Sequence, residues 1–124
     1  VRGRVRLVSA TEKDGGGGTA VATMRVAEDE PVFAGHYPNF PIFPGVCLID
    51  AADQSARAVS AERNQVLRAV EKARFLGAVL PGDDLEITLD WTRQDNTWRY
   101  SAAVRSPRGE AAKIQLRYTE EPGQ

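Results

Sequence analysis

Three segments toward the C-terminal end of the chain alternate apolar and polar residues almost without a break, and they restrict the possible folds most. Leu85, Ile87, Leu89 and Trp91 form the first apolar series, Trp98, Tyr100, Ala102 and Val104 the second, and Ala112, Ile114, Leu116 and Tyr118 the third. Side chains on a strand point alternately to its two faces, so a period of two places each series on one face. Asp95-Asn96 separates the first two segments, and Ser106-Pro107-Arg108-Gly109 the last two. These residue types make turns. The result is an antiparallel sheet with one greasy face, and such a face has to be covered.

The cover is found earlier in the chain. From Gly45 to about Ala61, Val46, Ile49, Ala52, Ala56 and Val59 recur at helical spacing. Pro44 suits the first turn, where its missing N–H costs nothing. Many of the remaining residues are Ala or Ser, which lets the helix sit close against a sheet. Further strands are expected over Arg2 to Val8, Thr19 to Val26, and from Asn64 to Phe75, where Val66, Arg68, Val70 and Lys72 alternate. Asp14 and the four glycines after it read as a hairpin tip. They are not a phosphate loop, which would need a Lys and then Ser or Thr behind the glycines. Pro81-Gly82-Asp83 is another turn, and Glu120 to Gln124 a frayed tail. The expectation is an α+β fold, one domain over residues 1–124, with about six antiparallel strands around a single central helix.

Composition narrows the function classes. A net charge of −1 on 124 residues lacks the basic surplus of a general nucleic-acid binder. No stretch approaches the roughly 20 apolar residues that cross a bilayer, and the N-terminus alternates Arg with Val and Leu where a secretory signal would be apolar. The lone Cys47 forms no intramolecular disulfide and contributes to no metal cluster. A cytoplasmic, reducing compartment is the simplest expectation. Arg57, Arg63, Arg68, Lys72 and Arg74 make the middle of the chain locally basic, as either a solvated face or a docking site for an acidic partner.

Between Pro31 and Pro44 lie four prolines together with Phe33, Tyr37, Phe40 and Phe43. Proline restricts the backbone and removes a donor, so a structured, aromatic-rich loop is expected here. The only histidine, His36, sits on that loop in Gly35-His36-Tyr37-Pro38. A solitary histidine beside aromatics is by default a packed residue. This loop, however, leads into a helix start whose free N–H groups can polarise a carbonyl or bind an oxyanion. Asp50 lies on the first turns of the helix, and Gln54 follows four residues later on the same face. Among Leu48, Ile49, Ala51 and Ala52, an ionised acid is costly, so Asp50 is expected either to be paired or to have its pKa raised enough to stay protonated. The alternative for Asp50 is a plain partner of the helix dipole.

The run FAGHYPNFPIFPGVCLIDAADQ, Phe33 to Gln54, resembles the active-site segment of the β-hydroxyacyl-acyl carrier protein dehydratases of fatty-acid and polyketide synthesis, which have the hot-dog fold. The likeness includes the Gly-His-aromatic-Pro step, the Pro-Gly pair, an acid fourteen residues after the histidine and a Gln four residues after the acid. Arg74-Phe75 through Pro81-Gly82-Asp83 is a second match.

The resemblance implies a set of roles. His36 is the general base and Asp50 the general acid, with the Gly45 amide polarising the thioester oxygen. Gln54 positions the acid, and the Ile42 carbonyl orients the imidazole. Phe33, Phe40 and Phe43 are candidates for lining the acyl tunnel, each about as well explained by core packing. No metal or redox cofactor is implied, because the elimination is only a proton transfer and loss of water; the substrate rides on phosphopantetheine. The implied partners are an acyl carrier protein and a second hot-dog subunit whose Asp50 faces His36.

The chain departs from the family pattern at several points. The acid is Asp where the commonest branch has Glu. Asp53 replaces a small apolar residue and is expected to face solvent. Leu76, Gly77 and Ala78 stand where the family often carries two arginines and a proline, which leaves Arg57, Arg68 or Arg74 to dock the carrier. Two other readings compete: a hot-dog acyl thioesterase, and a half-active or non-catalytic subunit of a hot-dog heterodimer.

Overall fold

A computed structural model describes residues 4–29, 43–60 and 64–121. The elements run β1 (Arg6–Glu12), β2 (Gly18–Arg25), α1 (Gly45–Val59), β3 (Gln65–Phe75), β4 (Asp84–Gln94), β5 (Thr97–Ser106) and β6 (Gly109–Glu120). All six strands form one antiparallel sheet in the order β1-β2-β4-β5-β6-β3. The helix touches every strand of it. This is the hot-dog arrangement.

The meander β4-β5-β6 follows the alternation in the sequence. Leu85, Ile87, Leu89, Trp91, Trp98, Tyr100, Ala102, Val104, Ala112, Ile114, Leu116 and Tyr118 all face inward and are buried. Ring geometry adds to their burial. Trp91 stacks on Tyr100 with centroids 5.5 Å apart, and Tyr100 meets Tyr118 edge-on at 5.2 Å. Each such pair contributes about 0.5–1.5 kcal/mol beyond its area.

The helix packs closely because its buried residues are small. Ala51, Ala52, Ser55 and Ala56 are fully covered, flanked by Cys47 and Leu48. The stripe therefore sits differently from the expected one. Val46 is 70% exposed, because it lies off the stripe that Cys47, Leu48, Ala51, Ala52, Ser55 and Ala56 turn inward. Pro44 is the extended residue before the helix (φ −64°, ψ 148°) and not part of its first turn, and the helix ends at Val59 with Ser60 as cap.

Two strands also differ from expectation. β1 begins at Arg6 and is exposed along its whole length; it is an edge strand, bonded to β2 alone among the described residues. β3 does not alternate simply. Bulges between Leu67 and Ala69 and between Val70 and Lys72 shift its register against β6. An extra residue at a bulge reverses the faces beyond it, so Val66, Ala69, Lys72 and Arg74 share one face, opposite Thr119, Arg117, Gln115 and Lys113. Residues 13–17 turn the β1–β2 hairpin, with Gly15 and Gly16 at φ +87° and +88°, a conformation that glycine adopts without strain.

The β3–β4 connection fixes the helix start. Phe43 N–H donates to the Val79 carbonyl at 2.7 Å, Val26 N–H to Asp83 O at 2.8 Å, and Gly82 N–H to Val26 O at 2.7 Å. Asp83 is buried and accepts from Leu80 N–H at 2.8 Å. The Arg108 guanidinium grips both Asp83 oxygens from the β5–β6 turn and also reaches the Ala78 carbonyl at 3.1 Å. The Pro81-Gly82-Asp83 motif is thus the knot joining β2, the helix entry and the last hairpin.

Candidate active site

The helix start carries no acidic residue in its first turn and no side-chain cap. Its leading N–H groups precede any helical carbonyl that could accept them, and Cys47 N–H folds back to Pro44 O at 3.0 Å. Gly45 therefore presents its amide at the positive end of the helix. The Phe75 ring lies against Gly45, where an added Cβ would come within 2.8 Å of it. Only a residue without a side chain fits there unless the ring moves.

One turn further, Asp50 is half-buried. Gln54 Nε2 donates to Asp50 Oδ2 at 2.8 Å, and Val5 N–H donates to Gln54 Oε1 at 3.3 Å. The amide is held at both ends, so its NH2 must face the acid. The acid among apolar neighbours thus has a polar partner in the Gln54 amide. A dipole partner of the helix would sit in the first turn, and Asp50 sits beyond it.

The sequence reading missed the next feature. Asp53, expected in solvent, is buried. Tyr118 Oη donates to Asp53 Oδ1 at 2.5 Å, and Arg57 Nε meets Oδ2 at 3.0 Å. Burial, followed by the Asp53 bond and charge, pushes the Tyr118 phenol far above its usual value, so it stays a donor. Asp53 lies on the sheet side of the helix because the buried stripe runs through 51, 52, 55 and 56. The helical period alone offered that signal, once the true stripe was known.

The remaining expected residues separate into groups. Gly45, Asp50 and Gln54 lie together along one stretch of helix. Phe43 is 2% exposed within the core cluster, so core packing accounts for it. His36, Phe33, Phe40 and Ile42 lie outside the described residues. Of the expected docking arginines, Arg57 is committed to Asp53, and Arg68 to Glu121 and, at 2.7 Å, to Thr119 Oγ1. Arg74 alone is exposed and without such a partner. Among the described residues no His, Cys, Asp and Glu group is arranged to hold a metal ion, and no helix is long and apolar enough to cross a membrane.

Comparison with known proteins identifies the family. A family described as "ApeI-like: ApeI dehydratase" matches residues 11–115. The "3-hydroxyacyl-[acyl-carrier-protein] dehydratase FabZ" of Roseobacter denitrificans is 33% identical, with 86% of this chain and 76% of that protein covered. The FabZ of Rhizobium etli is 38% identical over 68% of this chain and 59% of its own length, so the chain spans about three fifths of that relative. Among solved structures, "The Dehydratase Heterocomplex ApeI:P from Xenorhabdus doucetiae" superposes with a TM-score of 0.70 at 17% identity, covering 94% of this chain and 98% of that one, a likeness of fold alone. From the profile over most of its length and its identity to FabZ proteins, the chain belongs to the ApeI-like dehydratase family and is a relative of the 3-hydroxyacyl-[acyl-carrier-protein] dehydratases.

Proposed function

We propose that this chain eliminates water from a β-hydroxyacyl thioester carried on an acyl carrier protein, as one subunit of a hot-dog dimer. His36 takes the proton from the carbon beside the thioester carbonyl, and that electron pair forms the new double bond. The hydroxyl leaves with a proton from Asp50. Water and a 2-enoyl thioester result, and passage of one proton from His36 back to Asp50 resets the pair. The Gly45 amide meets the negative charge that develops on the thioester oxygen. One such donor contributes about 3–4 kcal/mol, and general acid–base help about 10²–10⁴-fold.

The observation that carries this reading is the Val5–Gln54–Asp50 chain of hydrogen bonds. It holds a half-buried carboxyl by one oxygen and leaves the other, Oδ1, without a partner among the described residues. A carboxyl with a structural task alone would have both oxygens engaged, as Asp53 does in this same helix. Support for a second subunit comes from the apolar groups exposed around the helix start and the β3 edge: Val46, Val70, Phe75 and Leu76. A second hot-dog chain laid along β3 would bury them.

The test is incubation with a β-hydroxyacyl thioester. Dehydration gives an enoyl product, whereas a thioesterase releases free thiol. His36→Ala and Asp50→Asn should each lower kcat/KM by about 10²–10⁴-fold. Undiminished turnover in both variants rejects the assignment.

A further inference from the structure

A side-chain amide can be turned end for end with little change of shape, so its other neighbours decide which end meets a carboxyl. For Gln54 the deciding neighbour is the main chain of Val5. A backbone N–H can only donate, so the end of the amide that faces it, at 3.3 Å, is the oxygen. The NH2 end is thereby turned to Asp50 Oδ2, at 2.8 Å. Val5 stands one residue before the first β1–β2 pair, Arg6 with Thr23, so its N–H lies outside that ladder. Its half-buried side chain packs against the core, which anchors the amide in place.

The same arrangement decides where a protonated Asp50 carries its proton. A neutral carboxyl has one carbonyl oxygen, which accepts well, and one hydroxyl oxygen, which accepts poorly and donates. Gln54 Nε2 can only donate, so it takes the carbonyl oxygen, and that is Oδ2. The hydroxyl is then Oδ1, the oxygen with no partner among the described residues. With the amide reversed, Gln54 Oε1 would accept from a proton on Oδ2 and hold it inside the protein's own network.

We infer that the Val5 main-chain amide is a positioning group for the reaction: acting through Gln54, it fixes the transferable proton of Asp50 on Oδ1. The part played in elimination rests on the dehydratase reading above; the lock on the amide rests on the two hydrogen bonds. As Oδ1 gives its proton to the departing hydroxyl, the O–H bond of the carboxyl breaks, its electron pair stays on the carboxylate, and water leaves. The charge left behind is shared with Oδ2, so the bond from Gln54 becomes charge-assisted and strengthens as transfer proceeds. An interaction that is stronger in the transition state than before it raises kcat and leaves KM nearly alone. Because Val5 holds the far end of the amide, no side-chain rotation has to precede the transfer. An edge strand exposed along its whole length thus reaches the acid through the residue that leads into it.

The experiment compares Val5→Pro, which deletes the N–H, with Arg4→Pro, which puts the same ring at the exposed position before it and keeps the Val5 N–H. With a β-hydroxyacyl thioester, kcat of Val5→Pro should fall about tenfold while KM stays within about twofold of wild type. Arg4→Pro should stay within about twofold in both. Gln54→Glu is the second variant. It keeps an oxygen for Val5 N–H but sets a carboxyl against Oδ2, so the two acids share a proton and Oδ1 loses it. Its kcat should lie below that of Gln54→Ala, although Glu has the length and shape of the native side chain. A Val5→Pro enzyme with wild-type kcat overturns the proposal, and so does a Gln54→Glu enzyme that equals or exceeds Gln54→Ala. Should Val5→Pro fail to fold, the two Gln54 variants decide by themselves. If wild type does not dehydrate the thioester, the dehydratase reading fails alone. The lock is then read without turnover, from exchange of the Gln54 side-chain NH2 protons with D2O by NMR. Slower exchange in wild type and Arg4→Pro than in Val5→Pro supports it, and equal exchange in all three rejects it.

Discussion

Asp50 and Asp53 stand three residues apart on one helix, yet their surroundings set them different tasks. Asp53 has both oxygens committed, to Tyr118 and Arg57. Tyr118→Phe removes a hydrogen bond to a buried carboxylate and should destabilise the fold by about 1–3 kcal/mol, read as a lower midpoint in urea with an unchanged slope. Asp50 keeps one oxygen available, and Gln54 holds the other. Gln54→Ala should lower kcat by about 10–100-fold, because a misaimed acid costs about that much, while the urea midpoint moves little. An unchanged kcat would show that the amide does not aim the acid. The pairing of Gln54 with Asp50 could be read from their spacing of four. Its second anchor, the Val5 amide, could not, because those residues are 49 positions apart.

At the scale of elements, the meander was legible and the edges were not. β4, β5 and β6 are bonded on both sides, so their apolar residues have one place to go and the period of two survives intact. β1 and β3 each have one bonded neighbour, and there the pattern gives way to exposure and bulges. The edge of β3 carries the exposed Val70 and Phe75, and this bears on assembly. Val70→Asp should turn a dimer into a monomer by sedimentation and abolish dehydration with it. A dimer that persists would place the subunit contact elsewhere. The same uncertainty of face explains the helix. Its existence followed from Pro44-Gly45 and the recurring apolar residues, but which stripe was buried depended on how the helix is turned against the sheet, with Cys47 and Leu48 inward and Val46 outward.

For the whole molecule, the junction at Asp83 ties β2, the helix entry and the β5–β6 turn into one unit. The hydrogen bonds from Arg108 hold the Asp83 carboxyl below its ordinary 3.8. Burial opposes this, and the Leu80 amide adds to it. Because the folded-state value is the lower one, the contribution to stability is complete above about pH 4 and is lost as the pH falls through the folded value. Asp83→Asn should therefore cost about 1–2 kcal/mol at neutral pH, an amount kept modest by the half-exposed Arg108. Its unfolding curve should converge on that of wild type near pH 2. A gap that stays constant down to that pH would mean the charge is not what stabilises the junction.

Local chemistry is what the sequence determined unaided: alternation marking strands, turn residues ending them, Pro-Gly opening the helix, and a Gly-His-Tyr-Pro step with an acid and an amide at fixed distances beyond it. Each depends on neighbours within a few residues, where the backbone leaves few choices. Tertiary packing decided which carboxyl is locked and which is available, which arginines are already matched, and which face the bulged edge strand presents. Those outcomes depend on groups tens of residues apart arriving at the same few ångströms, and no period in a single strand or helix records where its neighbours will stand.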